Sequence, residues 1–130
     1  MEKIEKYKLL NEQIKSLTQG ETDEVAKMAN IAAVIHEAMG FWWTGFYRVK
    51  NNELILGPFQ GPVACMHIGY GKGVCGSSWK QGETIVVPDV ELFPEDLKFT
   101  IIPPREKTVL WPAKSNSETV HIINFSFYIL

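Results

Sequence analysis

Apolar residues recur three or four apart through Ile4, Tyr7, Leu10, Ile14 and Leu17, the spacing of one helical face. Gly20 closes or follows that segment. Thr22 then reads as the N-cap of a second helix, with Asp23 and Glu24 in its first turn, where their charges complement the dipole. Val25, Met28, Ala29, Ala32, Ile35 and Met39 continue one face, and Gly40 supplies the C-cap. Within this helix His36 reads as a partly exposed residue, with titration or ligand binding as the alternative.

After Gly40 the pattern becomes that of strands. Phe41 to Val49 is aromatic and β-branched, Glu53 to Phe59 is a second apolar run, and Lys50-Asn51-Asn52 lies between them. Asparagine tolerates the left-handed conformation a tight turn demands, so a β-hairpin is predicted. Pro62 to Ile68 reads as a third strand and Thr84 to Val87 as a fourth, stopped by Pro88-Asp89. Between them runs Gly69-Tyr70-Gly71-Lys72-Gly73-Val74-Cys75-Gly76, whose glycines let the backbone turn sharply and approach a ligand closely, with a short helix beginning near Ser77. The order helix, helix, strand, strand, strand, helix, strand predicts an α+β fold, an antiparallel sheet with helices on one side. Tandem prolines at Pro103-Pro104 interrupt any regular element there. The tail from Val120 to Leu130 has strong β propensity and is an aggregation hazard unless it pairs as a strand.

The length of 130 residues suits one domain with its own core. Lys+Arg number 13 against 15 Asp+Glu, and no basic stripe interrupts that balance, so nucleic acid is not an expected partner. The N-terminus alternates charge instead of leading into an apolar run, and the apolar tail is about half the length of a membrane-spanning helix. A cytoplasmic, reducing location is the expectation. With 2 cysteines and 3 histidines, and no zinc-knuckle spacing, a tetrahedral metal site is not expected either.

The candidate chemistry rests on those cysteines. Cys75 follows the glycine loop at a predicted helix N-terminus, where unpaired amides and the dipole favour a thiolate, and Lys72 acts in the same direction. The alternative is a small buried thiol packed between helix and sheet. Cys65 falls on the predicted third strand as an inward-facing core residue, or as a partner for Cys75 in a reversible disulfide. Strand alternation sets Trp43 and Tyr47 on one face with Gly45 between them, a gap flanked by rings that suits a thioether, a sulfoxide methyl group or a cation. An ordinary core strand is the other reading. The glycine loop is not a dinucleotide fingerprint, since no strand ending in an acidic residue follows at the right interval.

Together, Phe41-Trp42-Trp43-Thr44-Gly45-Phe46-Tyr47, Leu56-Gly57-Pro58-Phe59-Gln60-Gly61-Pro62-Val63-Ala64-Cys65, Gly71-Lys72-Gly73-Val74-Cys75-Gly76 and Gly82-Glu83-Thr84-Ile85-Val86-Val87-Pro88-Asp89-Val90 resemble the free methionine-(R)-sulfoxide reductases, a GAF-fold family. The resemblance covers about residues 20 to 94 of a single 1–130 domain and leaves 95–130 as a divergent tail. It implies a GAF-like antiparallel sheet with the N-terminal helices packed on one side, incomplete at its C-terminal edge. It also implies a cytoplasmic oxidoreductase that reduces free L-methionine (R)-S-oxide by thiol–disulfide chemistry. Thioredoxin and NADPH would recycle it, with no bound cofactor, and family members often pair as homodimers. Cys65 and Cys75 match cysteines that serve in resolving disulfides, and Trp43 and Tyr47 match aromatic residues lining the substrate pocket.

The family's attacking cysteine sits in a Gly-His-Ile-Ala-Cys motif that this sequence lacks. Counting without gaps puts Phe99 at its place and Glu106 at that of the pocket glutamate. A register anchored on Ser115-Asn116-Ser117-Glu118 puts Trp111 there and makes Glu118 the pocket glutamate, the better motif match. The family's later Asp-x-Asp strand and closing helix are likewise unmatched. The resemblance therefore implies the activity by inheritance, with little or no turnover expected. The alternative is a non-catalytic GAF module binding a small ligand, or a degenerate or frameshifted product.

Overall fold

The apolar spacing of the first forty residues folds as two helices, α1 (Lys3–Thr18) and α2 (Glu24–Met39), in a computed structural model of the chain. The structure describes residues 2–41, 43–83, 85–87, 106–114 and 119–127, with 3, 86, 87 and the last two stretches described as backbone alone. In α1 only Leu10 of the apolar stripe is buried, while Ile4, Tyr7 and Leu17 remain exposed. Asp23 caps α2, its carboxylate accepting from the Ala26 amide at 2.9 Å. The expected cap, Thr22, lies one residue too early, because a cap side chain must reach an amide two or three positions on. At the other end Gly40 adopts φ 65° and its N–H donates to the His36 carbonyl, as the sequence predicts.

The hairpin forms as expected. Strands β1 (Trp43–Lys50) and β2 (Glu53–Gln60) are joined by Asn51 at φ 52° and Asn52 at φ 62°, both left-handed as a two-residue turn of this hand requires. Next come β3 (His67–Gly69), α3 (Gly73–Gln81), β4 (Val86–Val87), β5 (Glu106–Lys114) and β6 (Thr119–Phe127). The expected third strand from Pro62 is thus mostly irregular. Gly61 sits at φ 123° and Pro62 has no amide to donate, so the chain leaves the ladder. It rejoins where the Leu56 amide donates to the Met66 carbonyl. Of the expected fourth strand, Thr84 lies outside the described residues.

The described strands join one antiparallel sheet in the order β3-β2-β1-β6-β5-β4. Alternation along β1 divides the core. Phe46 meets Met28 and Ala32 of α2 on one face, whereas Trp43 and Tyr47 meet Val74 and Cys75 of α3 on the other. The N-terminal helices lie on one side, as expected, and the third helix takes the opposite side. The apolar tail does pair as far as Phe127: β6 hydrogen-bonds to β1 on one edge and β5 on the other. Neither the Pro103-Pro104 stretch nor Glu118 falls within the described residues, while β5 was not legible as a strand in a segment holding Pro112 and three lysine or glutamate positions.

Candidate functional site

The floor of the site is one face of β1. Trp43 and Tyr47 are 2% and 4% exposed, and their rings stack at 6.2 Å between centroids. Phe59 from β2 stacks on Trp43 at 5.3 Å. The gap expected over Gly45 is closed, since a Cβ there would collide with the Phe59 side chain and lie 2.6 Å from the Trp43 ring. Glycine at 45 therefore admits the neighbouring rings themselves, and both Trp43 and Tyr47 are packed into the core.

Over that floor runs the irregular segment from Gly61 to Met66, which carries Cys65 outside any strand, contrary to expectation. Two side chains of β1 tie it down. The Trp43 indole donates to the Pro62 carbonyl at 3.0 Å, and the Tyr47 hydroxyl donates to the Cys65 carbonyl at 2.7 Å. Ala64 and Cys65 pack against the core beneath, while Val63 and Met66 point outward and are 82% and 69% exposed. Neither tie was visible in the sequence, because backbone carbonyls carry no residue signature.

Cys75 lies in the first turn of α3, which starts at Gly73, earlier than the expected Ser77. The glycine loop makes this possible by approaching its own backbone closely. A Cβ at Gly76 would lie 2.5 Å from the Gly69 carbonyl oxygen, and the Gly71 amide donates to the Gly76 carbonyl. Tyr70 leaves this loop to meet Trp79 edge-on at 4.8 Å. The helix terminus does not produce the expected acidic thiol. Burial pushes the Cys75 thiol well above its ordinary range, the nearby charge of Cys65 adds to the rise, and a backbone hydrogen bond opposes it weakly. Lys72, expected to favour the thiolate, is exposed and so screened by water. Burial likewise raises the Tyr47 hydroxyl, with Cys75 and Cys65 contributing in that order, so Tyr47 remains a hydrogen-bond donor at neutral pH.

The two cysteines and the two aromatic residues singled out from sequence thus come together on one face, both thiols being free. Glu118 and Phe99 lie outside the described residues. Trp111 and Glu106 belong to β5, where they pair with Ile122 and Phe127 of β6. His36 is half-buried on α2, its Nδ1 without a partner among the described residues, as are Thr44 Oγ1 and Arg48 Nε. A cleft of about 370 Å³ at the α1–α2 junction, lined by Gly20, Glu21, Lys27 and Asn30 among others, sits on the sheet side opposite the thiols. No group of metal-binding side chains occurs among the described residues, and none of the described helices is long and apolar enough to cross a membrane.

No family model matches the chain. It is 41% identical to the free methionine-R-sulfoxide reductase of Neisseria meningitidis, whose X-ray structure in complex with its substrate matches at a TM-score of 0.81 over 92% of this chain and 72% of that one. The chain belongs to the free methionine-R-sulfoxide reductase family. Among curated relatives of the family, the free methionine-R-sulfoxide reductase of Escherichia coli is 39% identical over 94 residues, 72% of this chain and 57% of the relative. GAF domain-containing protein A of Dictyostelium discoideum is 50% identical over 93 residues, 71% of this chain and 59% of the relative. The chain therefore spans less than two thirds of these curated relatives, and the GAF-like α+β fold expected of the family stands.

Proposed function

We propose that this chain keeps the substrate class of its family, free methionine-(R)-sulfoxide, and a thioredoxin-coupled two-thiol site, but turns the substrate over slowly or not at all. The observation that carries this reading is the burial of Cys75, which disfavours its thiolate, in a sequence with 2 cysteines in all and no Gly-His-Ile-Ala-Cys motif. Reduction of a sulfoxide begins when a thiolate attacks the sulfoxide sulfur. The sulfoxide oxygen takes up a proton, its bond to the sulfoxide sulfur breaks, and it ends on the attacking cysteine as a sulfenic acid while the neutral thioether leaves. A second thiol then displaces water from the sulfenic acid and forms a disulfide, which an external dithiol such as thioredoxin reduces. A buried Cys75, whose ionisation is disfavoured, is a poor agent for the first step, and in the second it must give up its proton as it attacks. Cys65, with exposed Val63 and Met66 beside it, is the thiol an external reductant reaches.

Trp43 and Tyr47 are the aromatic residues proposed to line the substrate position, and Glu118 is the carboxylate proposed by motif. Cytoplasmic location and pairing as a homodimer belong to the same reading. Thioredoxin-coupled oxidation of NADPH on free methionine-(R)-sulfoxide tests it. A rate close to the protein-free background is the expected outcome. Turnover at the level of an intact relative would mean that Cys65 or Cys75 performs the attack. Calorimetry with the same sulfoxide separates a ligand-binding module, which saturates without turnover, from a chain that has lost the ligand.

A further inference from the structure

Trp43 and Tyr47 do more on this face than fill space, because each spends its polar atom on the same irregular segment. The indole N–H takes the Pro62 carbonyl and the hydroxyl takes the Cys65 carbonyl, so the Gly61–Met66 segment is pinned at both ends by one strand. The two ties differ in what they fix. The Cys65 carbonyl is one bond from the Cys65 Cα, whereas Pro62 is three residues away. Disulfide geometry tolerates only a narrow Cα separation, roughly 4.4–6.8 Å, so a tie at Cys65 itself acts directly on whether its sulfur can meet that of Cys75. Cys75 cannot adjust from its side, since the first turn of α3 is locked onto the Gly69–Gly71 backbone by Gly76.

We infer that Tyr47 is a positioning residue for the two-thiol site, its hydroxyl holding the Cys65 segment against α3 while Trp43 provides a second, weaker tie. This rests on the reading of Cys65 and Cys75 as a redox pair, but not on any turnover of methionine sulfoxide. Its consequence is an effective concentration of one thiol at the other that depends on a single O–H group.

The test is thiol–disulfide exchange with glutathione disulfide as the oxidant. The Cys65 thiolate attacks one glutathione sulfur, the S–S bond breaks, and one glutathione thiolate leaves. Cys75 then gives up its proton and displaces the second glutathione, so that two protein thiols and one glutathione disulfide become one protein disulfide and two glutathiones. Wild type, Y47F and W43F are equilibrated in glutathione buffers of graded ratio, quenched in acid, and read by mass spectrometry. The equilibrium constant for the Cys65–Cys75 disulfide is expected to fall about fivefold in Y47F, the factor one hydrogen bond supports, and less than about twofold in W43F. A merely structural role predicts the reverse order, because Trp43 is the larger and more deeply buried ring. An unchanged constant in Y47F, a larger fall in W43F, or no Cys65–Cys75 disulfide in wild type would overturn the inference. A measurement on reduced wild type covers the case in which Y47F does not fold. The Tyr47 hydroxyl proton should then be visible by NMR as a slowly exchanging resonance, and its rapid exchange with water would count against the tie. None of these readings involves methionine sulfoxide or thioredoxin, so their failure is separate from that of the turnover assay.

Discussion

At Cys75 two physical effects compete, and their sizes decide the chemistry. A helix N-terminus stabilises a nearby anion by about 0.3–1 kcal/mol at an exposed site. Full removal of a thiolate from water shifts a group by several pKa units, each worth about 1.4 kcal/mol. Desolvation wins, and the thiol rises above its ordinary value of 9.0, as the Tyr47 hydroxyl rises above its ordinary 10.0. Both groups are acids that are neutral when protonated. The folded state therefore holds protons that the unfolded chain releases, and stability is full below pH 9 and falls as pH rises beyond it. Urea midpoints should be level between pH 7 and about pH 8.5 and drop above pH 9, more steeply once tyrosine titrates in the unfolded chain. The Cys75→Ala variant, which lacks the thiol, should show a shallower drop, and a parallel curve would contradict the assignment. The same competition explains what the sequence misled on. It carries the helix start, but burial depends on the sheet that α3 meets, and this is a tertiary fact. A second residue-scale prediction concerns Gly76. An added methyl would press on the Gly69 carbonyl oxygen, which is backbone and cannot swing aside, so Gly76→Ala should cost about 1–3 kcal/mol in chemical denaturation.

At the scale of elements, the boundaries most legible in the sequence are those set by one residue's own conformational preference. Gly40 and the Asn51-Asn52 turn carry positive φ, and both were readable because few residue types accept it. Asn52→Ala keeps the turn only at a cost of about 1 kcal/mol, measurable as a lowered urea midpoint with an unchanged slope. Caps are less legible, since Thr22 and Asp23 are both good cap residues and only geometry selects between them. Asp23→Ala should cost about 1 kcal/mol and Thr22→Ala close to nothing, and the opposite ranking would restore Thr22 as the cap. The segment around Cys65 was least legible. Its residues alternate well enough to read as a strand, but Gly61 and Pro62 divert the chain, and the interactions that hold it come from Trp43 and Tyr47, 19 and 18 residues away. Local pattern cannot report a hydrogen bond to a distant carbonyl.

At the scale of the molecule, the sheet separates the two halves of the sequence signal. The α2 face buries Phe46 on Met28 and Ala32, and the thiol face buries Trp43 and Tyr47 against α3. Both faces hang on β1, and β1 is flanked by β2 on one side and β6 on the other. The strand drawn from the apolar tail is therefore not an appendage but the link that joins β5 and β4 to the part carrying the thiols. Position in the sheet makes this testable at the backbone. Each residue of β6 from Val120 to Phe125 is paired with both β1 and β5, so every amide there faces a ladder, whichever neighbour it points to. Proline at Ile122 removes one such amide and its ring clashes with the neighbouring strand, an effect confined in natural sheets to edges and bulges. Ile122→Pro should cost about 3 kcal/mol or more. Its first symptom should be exposure of Cys75, since β6 pairs with the strand that carries Tyr47. Alkylation of Cys75 in native buffer, slow in the wild type because the thiol is buried, should then approach the rate of a free thiol. The β6 strand contributes to the thiol site only if that acceleration occurs; an alkylation rate left at the wild-type level would mean that the site stands on β1, β2 and α3 alone.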